Sequence, residues 1–328
     1  MNPREEETVV KIKRSADNTG WRRGAALSLA LASCAPQQDS APPDPRPVEP
    51  PPVQAEEVPQ AASSEPDLSS RLAEVLAGSH RSPEHRARDA YRHPAETLAF
   101  FGVTPQSTVV ELWPGGGWYT EILAPLLRGS GELVVTNFDV AGPEKYYGTR
   151  LGKQLREKLA AAPGLYDQVA EVTVAQDVTL DGKGEVKAIS IHEFALAPAG
   201  SVDVVLTFRN SHGWFEHGNE RRVYGLAFAA LKPGGVLGVV QHRAAEGADP
   251  KQTVKRGYLP EAEVIAAAEA VGFTLAGSSE INANPKDTRD YAKGVWTLPP
   301  RLSEGDKDRE RFLAIGESDR MTLKFVKP

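Results

Sequence analysis

Two hydrophobic periodicities alternate along the chain from residue 68 to its carboxyl terminus. Short runs of mostly branched apolar residues predict buried strands, and longer segments with apolar residues three or four positions apart predict helices. Strands and helices that alternate in this way are typical of an α/β fold with a mainly parallel sheet. The predicted strands cover residues 107–112, 132–136, 202–208, 236–241, 273–279 and 321–326, and the predicted helices cover residues 86–101, 118–127, 220–231 and 261–271.

A long connection separates the last two predicted strands. Residues 282–320 exceed the length of a simple hairpin connection and are dense in polar and aromatic side chains. We predict that this segment forms a lid over the functional site of a domain that spans residues 68–328. The alternative is that Asn, Pro and Asp residues build turns there and that Trp296 packs on the sheet.

The amino terminus has the pattern of an export signal. Basic residues precede an apolar run over residues 24–32, which is too short to cross a bilayer. The run ends at Leu31, Ala32, Ser33 and Cys34, a sequence that resembles the lipobox of bacterial lipoproteins. We therefore predict a signal peptide over residues 1–34, with lipidation at Cys34, and an exported protein on the periplasmic side of a membrane. Ala35, in place of an aspartate, favours the outer membrane.

Residues 35–67 are dominated by Pro, Gln, Glu, Ala and Ser. Such a segment has too few large apolar side chains to build a core, so we predict a semi-extended tether between the lipid anchor and the folded domain.

Charge and cysteine content restrict the partners. The chain has 38 Lys and Arg against 44 Asp and Glu, a net charge of -6, so it lacks the basic field that gathers nucleic acid. A single cysteine excludes an internal disulfide and a cysteine-rich zinc site. The histidines follow no metal-binding spacing, and we predict no metal site.

The first predicted strand runs into a glycine-rich turn, at residues 109–117 with the sequence VVELWPGGG. This string resembles the first motif of class I S-adenosyl-L-methionine-dependent methyltransferases, in particular a family of predicted bacterial exported methyltransferases, although Trp113 stands where the usual pattern has glycine. The resemblance extends over residues 86–328. It implies a Rossmann-like fold with a mainly parallel seven-stranded sheet, helices on both faces and a terminal antiparallel strand, and it implies S-adenosyl-L-methionine as cofactor.

The resemblance also implies a set of cofactor-binding residues. Glu111 would organise the turn or meet the methionine ammonium, and Asp139 stands near the position of the acid that binds the ribose, with Asn137 as a competing candidate. Asp177 and Glu193 are weaker candidates for the adenine. A nicotinamide dinucleotide ranks second as cofactor, because Thr120 stands where its fingerprint needs a third glycine. The complete predicted cofactor set is Glu111, Trp113, Gly115, Gly116, Gly117, Asp139 and Arg209.

Polar residues that follow the next two strands are the candidates for catalysis and acceptor binding, because open α/β sheets place their ligands at this edge. His212 would act as a general base and Asn210 would orient the acceptor. Trp214, His242 and Arg243 would contact the acceptor. A histidine beside glycine and tryptophan can equally be a structural residue.

These features predict a methyltransferase that acts on a small molecule or an envelope component. A non-catalytic envelope lipoprotein that reuses the fold to bind a small ligand is the alternative, favoured by Trp113 and by the cytoplasmic origin of S-adenosyl-L-methionine. A third hypothesis is a structural envelope protein that binds no ligand.

Overall fold

The computed structural model describes residues 8–10 and 68–328. The predicted signal peptide with Cys34 and the predicted tether over residues 35–67 lie outside this part of the chain, apart from one short strand at residues 8–10. None of the helices in the described ranges is long and apolar enough to span a bilayer.

Ten strands and twelve α-helices form the described structure. The strands are β1 (Thr8–Val10), β2 (Thr108–Leu112), β3 (Glu132–Asn137), β4 (Val169–Thr173), β5 (Gln176–Leu180), β6 (Val186–Ile191), β7 (Val202–Phe208), β8 (Leu231–His242), β9 (Thr274–Ser279) and β10 (Arg320–Val326). The helices are α1 (Leu68–Ala77), α2 (Pro83–Arg86), α3 (Asp89–Arg92), α4 (Pro94–Phe101), α5 (Thr120–Leu127), α6 (Tyr147–Ala161), α7 (Pro163–Tyr166), α8 (Ser211–Glu216), α9 (Glu220–Ala230), α10 (Pro250–Thr253), α11 (Glu261–Glu269) and α12 (Arg309–Ile315).

Seven strands form one sheet in the order β4-β3-β2-β7-β8-β10-β9. The five strands from β4 to β8 in this order are parallel, whereas β10 is antiparallel to both β8 and β9. The predicted fold class is confirmed: a Rossmann-like α/β fold with a mainly parallel seven-stranded sheet and a terminal antiparallel strand. The chain runs from β2 through β3 to β4 on one side of β2 and then returns to β7 on its other side, so the topological switch point lies between β2 and β7.

Both faces of the sheet are buried, which explains the nearly continuous apolar runs of its strands. Successive residues of β2 point to opposite faces: Val109 packs on the face covered by α1, α4 and α5, and Val110 packs on the face covered by α9 and α11. The same alternation follows β7, where Val204 and Val205 belong to different clusters. The sheet is therefore packed between two apolar layers, and these layers do not cover the edge at which its parallel strands end.

The single helix predicted over residues 86–101 is wrong, because this stretch contains the end of α2 and then α3 and α4. His93 adopts a left-handed conformation with φ 40°, and Pro94 begins α4. Proline lacks the N–H that would continue the preceding helix. The break turns α2 and α3 towards the glycine turn.

A second sheet in the described residues was not predicted. β5 and β6 form an antiparallel hairpin, and β1 adds to the free edge of β5. The third strand of the main sheet, for which the pattern supplied no position, is β4.

Candidate functional site

A cavity of about 350 Å³ lies at the carboxyl ends of β2, β7 and β8, beside the topological switch point. Residues after these three strands line it, together with residues of α2, the segment 295–301 and the start of β10. Ligands of open α/β folds bind at this edge, and the volume suits a small molecule. Of the predicted site residues, Glu111, Trp113, Gly115, Gly116, Arg209, Asn210, His212 and His242 line the cavity.

The glycine turn presents its backbone to the cavity. No atom lies within 4 Å of the position that a Cβ would take on Gly115 or Gly116, and Gly115 has a φ of 59° that favours glycine. Gly117 differs, because a Cβ there would lie 3.2 Å from Leu155 and from Lys158 of α6. Gly115 and Gly116 therefore leave room for a ligand, whereas Gly117 serves packing.

Glu111 is a buried carboxyl group at the end of β2. The Thr120 hydroxyl donates a hydrogen bond of 2.6 Å to its Oε2. Burial raises the pKa of Glu111 to about 7, although the hydrogen bond and the charges of Lys158 and Arg209 act in the opposite direction. Near neutral pH this carboxyl group can be ionised by a cation that binds beside it.

Trp113, which lines the cavity, packs against Trp214. Trp113 has a φ of 44° and is buried, and its backbone N–H donates to Thr136 Oγ1 at 2.8 Å. Trp214 also lies edge-on to Tyr224, with ring centroids 6.0 Å apart, and it is not among the residues that line the cavity. The residue predicted to stack on the acceptor therefore packs in the core.

The end of β3 contributes nothing to the cavity lining. Asp139 accepts a hydrogen bond of 2.8 Å from the backbone of Ala141 and thereby closes a local turn. Asn137 is buried, donates to the carbonyl of Gly152 at 3.1 Å and accepts from the backbone of Phe138. Both residues predicted as ribose ligands are thus engaged in turns and helix packing.

Neither candidate for the adenine lies in this cavity. The carboxylate of Asp177 lies 3.0 Å from Nε2 of His192, and Glu193 pairs with Arg222 at 2.9 Å. Both residues belong to the region of the β5–β6 hairpin.

Asn210 connects the ends of β2 and β7. Its Nδ2 donates to the carbonyl of Leu112 at 2.9 Å and to that of Trp113 at 3.2 Å. Because the amide hydrogens are engaged in this way, Oδ1 is the atom that Asn210 can offer to a ligand.

Gln241 lies beside one ring nitrogen of His212. Gln241 Nε2 donates to the carbonyl of Gly257 at 2.9 Å, which fixes the orientation of its amide group, and the same nitrogen lies 3.4 Å from Nδ1 of His212. An amide N–H can only donate, so this contact is a hydrogen bond in the tautomer in which Nδ1 accepts and Nε2 bears the hydrogen. Burial lowers the pKa of His212 to about 4. The imidazole is neutral at pH 7, and this geometry favours a hydrogen-bond donor over the predicted general base.

His242 and Arg243 lie at the end of β8 but have different surroundings. His242 lines the cavity and its Nδ1 lies 2.5 Å from the hydroxyl oxygen of Ser318. Burial, followed by the charge of Arg320, lowers the pKa of His242 well below its ordinary value. Arg243 instead forms ion pairs with Asp319 at 2.9 Å and with Glu280 at 2.6 Å, outside the cavity lining.

A cluster of arginines lies at one wall of the cavity, and three of its members, Arg88, Arg209 and Arg320, line that wall. Arg88 and Arg92 contact the carboxylate of Glu317 at 2.6 Å and 3.0 Å, and Arg320 contacts it as well. Arg209, with a φ of 66°, faces the same region. Burial and the charge of Arg320 lower the pKa of Arg209 to about 10. We call Arg88, Arg92, Arg209 and Arg320 the arginine cluster.

Most of this cluster was missed in the sequence. Arg320 begins the antiparallel strand β10 and is paired in register with His242, which ends the parallel strand β8. The start of an antiparallel strand lies at the same edge as the carboxyl ends of its parallel neighbours. The charged residues just before the last predicted strand could therefore have been predicted as site residues from the sequence.

The predicted lid segment is tied to the domain at its base. Asp287 accepts from the Tyr258 hydroxyl at 3.1 Å and from the backbone N–H groups of Arg289 and Asp319 at 2.9 Å and 2.8 Å. Its tip contributes Trp296, which is 38% exposed, lines the cavity and lies 5.9 Å from the ring of His212.

Within the described ranges, no three His, Cys, Asp or Glu residues lie together as they would around a metal ion.

Comparisons with known proteins give fold-level similarity only. No family profile matches the sequence, and no curated protein matches it. The structure is similar to a SAM-dependent methyltransferase from Aquifex aeolicus, at 18% identity and a TM-score of 0.44 over 66% of this chain and 93% of the other. It is also similar to an S-adenosylmethionine-dependent methyltransferase from Mesorhizobium loti, at 13% identity and a TM-score of 0.41 over 71% of this chain and 96% of the other. For the glycopeptide N-methyltransferase MtfA, the identity is 16% and the TM-score is 0.42, over 75% of this chain and 100% of the other. Likenesses of this size carry no information on the ligand of this chain.

Proposed function

We propose that this protein is a methyltransferase that binds S-adenosyl-L-methionine over the glycine turn and methylates an acceptor in the same cavity. The observation that carries the proposal is the open backbone of Gly115 and Gly116 at the topological switch point, directly after the buried carboxyl group of Glu111. A ligand can approach this backbone as closely as the cofactor requires, and Glu111 suits its ammonium group.

The sulfonium supplies the methyl group for an in-line displacement, in which positioning accounts for much of the rate. The residues of this chain would hold the acceptor. His212 donates from Nε2, Asn210 accepts at Oδ1, and the indole of Trp296 covers the cavity. The acceptor loses its proton to water as the new bond forms, because burial and the charge of Arg320 keep the pKa of His242 low and make its imidazole a weak base.

A second candidate function is a non-catalytic small-ligand-binding protein on the same fold. Two observations favour it: no residue of the β3 end lines the cavity, and the indole of Trp113 is packed at the first position of the turn. Glu111 offers a carboxyl group for the methionine part of the cofactor, whereas no carboxylate at the end of β3 reaches the cavity to bind the ribose. Such a protein would bind a ligand without turning it over.

Calorimetric titration of the full chain with S-adenosyl-L-methionine and S-adenosylhomocysteine tests the proposal. We expect micromolar binding, about -8 kcal/mol. Gly116→Ala should abolish it, because the new Cβ enters the ligand's space without backbone strain. Gly225→Ala is the matched control, since its Cβ also meets no atom within 4 Å but lies in α9. Absence of binding to the unchanged chain would refute the proposal and leave the binding-protein candidate.

For the location, the proposal from the sequence is an exported lipoprotein anchored through Cys34, in the periplasm and on the outer membrane. Labelling with a radioactive fatty acid tests it. The unchanged chain should incorporate label and fractionate with membranes, and Cys34→Ser should do neither.

A further inference from the structure

The arginine cluster holds more positive charge than its surroundings neutralise. Four guanidinium groups face one carboxylate, that of Glu317, whose pKa is held far below its usual range mainly by Arg320, Arg92 and Arg88. The other carboxyl group within electrostatic reach of Arg209 is Glu111. Even with Glu111 ionised, at least two positive charges remain uncompensated.

Burial makes this excess costly. Arg92 is 2% exposed and Arg320 is 2% exposed, so water screens their charges poorly. Among the described residues, no hydrogen-bond partner reaches Nη1 or Nη2 of Arg92, whose guanidinium group lies 4.6 Å from the centroid of the Trp118 ring, or Nε of Arg320, although all three nitrogens are buried. Buried donors without acceptors and an excess of buried positive charge both cost free energy, and a bound anion would reduce both costs.

Arg209 is the member of the cluster that is free to bind. In the described part of the chain its guanidinium group has no hydrogen bond or ion pair, and it lines the cavity beside Arg88 and Arg320. Its backbone has a φ of 66°, a conformation that costs a non-glycine residue about 1 kcal/mol or more. A strained, half-buried and unpaired arginine serves stability poorly, which is typical of a residue kept for a ligand.

We infer that Arg209, with Arg88 and Arg320, binds a dianionic group of the phosphate-monoester type on the ligand that enters this cavity. Guanidinium groups pair with phosphate oxygens through parallel N–H donors. Arg209 and Arg88 line the cavity with donors that can do so, whereas Arg320, whose Nη1 donates to the Tyr91 carbonyl and whose Nη2 contacts Glu317, contributes its charge. A dianion matches the two or more uncompensated charges, whereas a single carboxylate would leave part of the excess. His212 Nε2 offers a further donor on the same cavity.

The anion site is independent of the methyl-transfer proposal. Only the assignment of the dianion to the methyl acceptor, and not to the cofactor's own carboxylate, rests on the proposed function.

Thermal unfolding of the full chain, with inorganic phosphate titrated against chloride at constant ionic strength, tests the site. We expect phosphate to raise the Tm of the unchanged chain. Arg209→Leu should raise the Tm without phosphate, because it removes an unpaired charge, and should abolish the response to phosphate. Arg222→Leu, which removes an exposed arginine paired with Glu193, should keep the full response. A response that persists in Arg209→Leu, or none in the unchanged chain, would overturn the inference.

Calorimetry with phosphate and S-adenosylhomocysteine together separates the two sources of the anion. We expect the phosphate affinity to change less than about twofold when S-adenosylhomocysteine is saturating, since acceptor and cofactor occupy the cavity together. A loss of about tenfold or more would assign the cluster to the cofactor's carboxylate and overturn the acceptor assignment. If S-adenosylhomocysteine does not bind at all, the proposed function fails while phosphate binding still reports on the anion site.

Discussion

The indole of Trp113 packs against that of Trp214, with ring centroids 5.1 Å apart and ring planes inclined by 59°. The contact joins the residue after β2 to the helix after β7, so it closes the space between these strand ends from behind. Aromatic pairs in this geometry contribute beyond the area they bury. The pair sets the depth of the cavity above it.

Substitution of Trp214 should therefore destabilise the fold more than it weakens binding. We expect Trp214→Ala to lower the free energy of unfolding by about 3 to 5 kcal/mol, because a large buried side chain is lost, and Trp214→Phe to cost less. Chemical denaturation measures both. Trp296→Ala is the matched control: its indole is 38% exposed and lines the cavity, so stability should change little while ligand affinity falls. Equal stability losses in the two alanine variants would contradict this assignment.

Glu111 should make stability depend on pH in an unusual direction. Its folded-state pKa of about 7 lies above the ordinary value of 4.5, so the folded state holds the proton more tightly and stability falls as pH rises between these values. Glu111→Gln removes this penalty. We expect the variant to be more stable than the unchanged chain by about 3 kcal/mol at pH 8, with little difference at pH 4. Urea denaturation across this range measures the difference, and a constant offset would contradict the assignment.

His212 should act in the opposite direction. Its folded-state pKa of about 4 lies below the ordinary value of 6.5, so the unfolded chain takes up the proton first and stability is lost as pH falls from 6.5 to 4. His212→Gln should reduce this loss by up to about 3 kcal/mol at pH 4. His217→Gln, at the half-buried residue that follows α8, serves as control and should keep the acid dependence of the unchanged chain.

Asp287 should determine how firmly the predicted lid is attached. Its carboxylate accepts hydrogen bonds from Tyr258 and from two backbone N–H groups, each worth about 1 kcal/mol. We expect Asp287→Ala to lower the free energy of unfolding by about 3 kcal/mol and to speed cleavage by trypsin after Arg301. Asp290→Ala, an exposed position three residues along, should leave both unchanged. Faster cleavage in both variants would show that the loop, and not this carboxylate, limits access.

Local pattern was sufficient to predict most of the main sheet, the turn at Gly115 and Gly116, and the polar residues at the ends of β7 and β8. Apolar periodicity and glycine placement depend on neighbours along the chain, so they can be read without the tertiary structure. At Asp139 and Trp214 the same reasoning could not separate a site residue from a turn or core residue, because both residue types serve turns and cores as readily as sites.

What the sequence determined by itself was therefore the order of strands and helices and one half of the cavity, the half built from residues that follow the parallel strands. Only the tertiary structure decided the other half. Arg88 reaches the cavity because His93 and Pro94 break the predicted helix, and Arg320 reaches it because β10 runs antiparallel beside β8. Charges more than two hundred residues apart meet Glu317 there, and no local pattern specifies a contact between such distant residues.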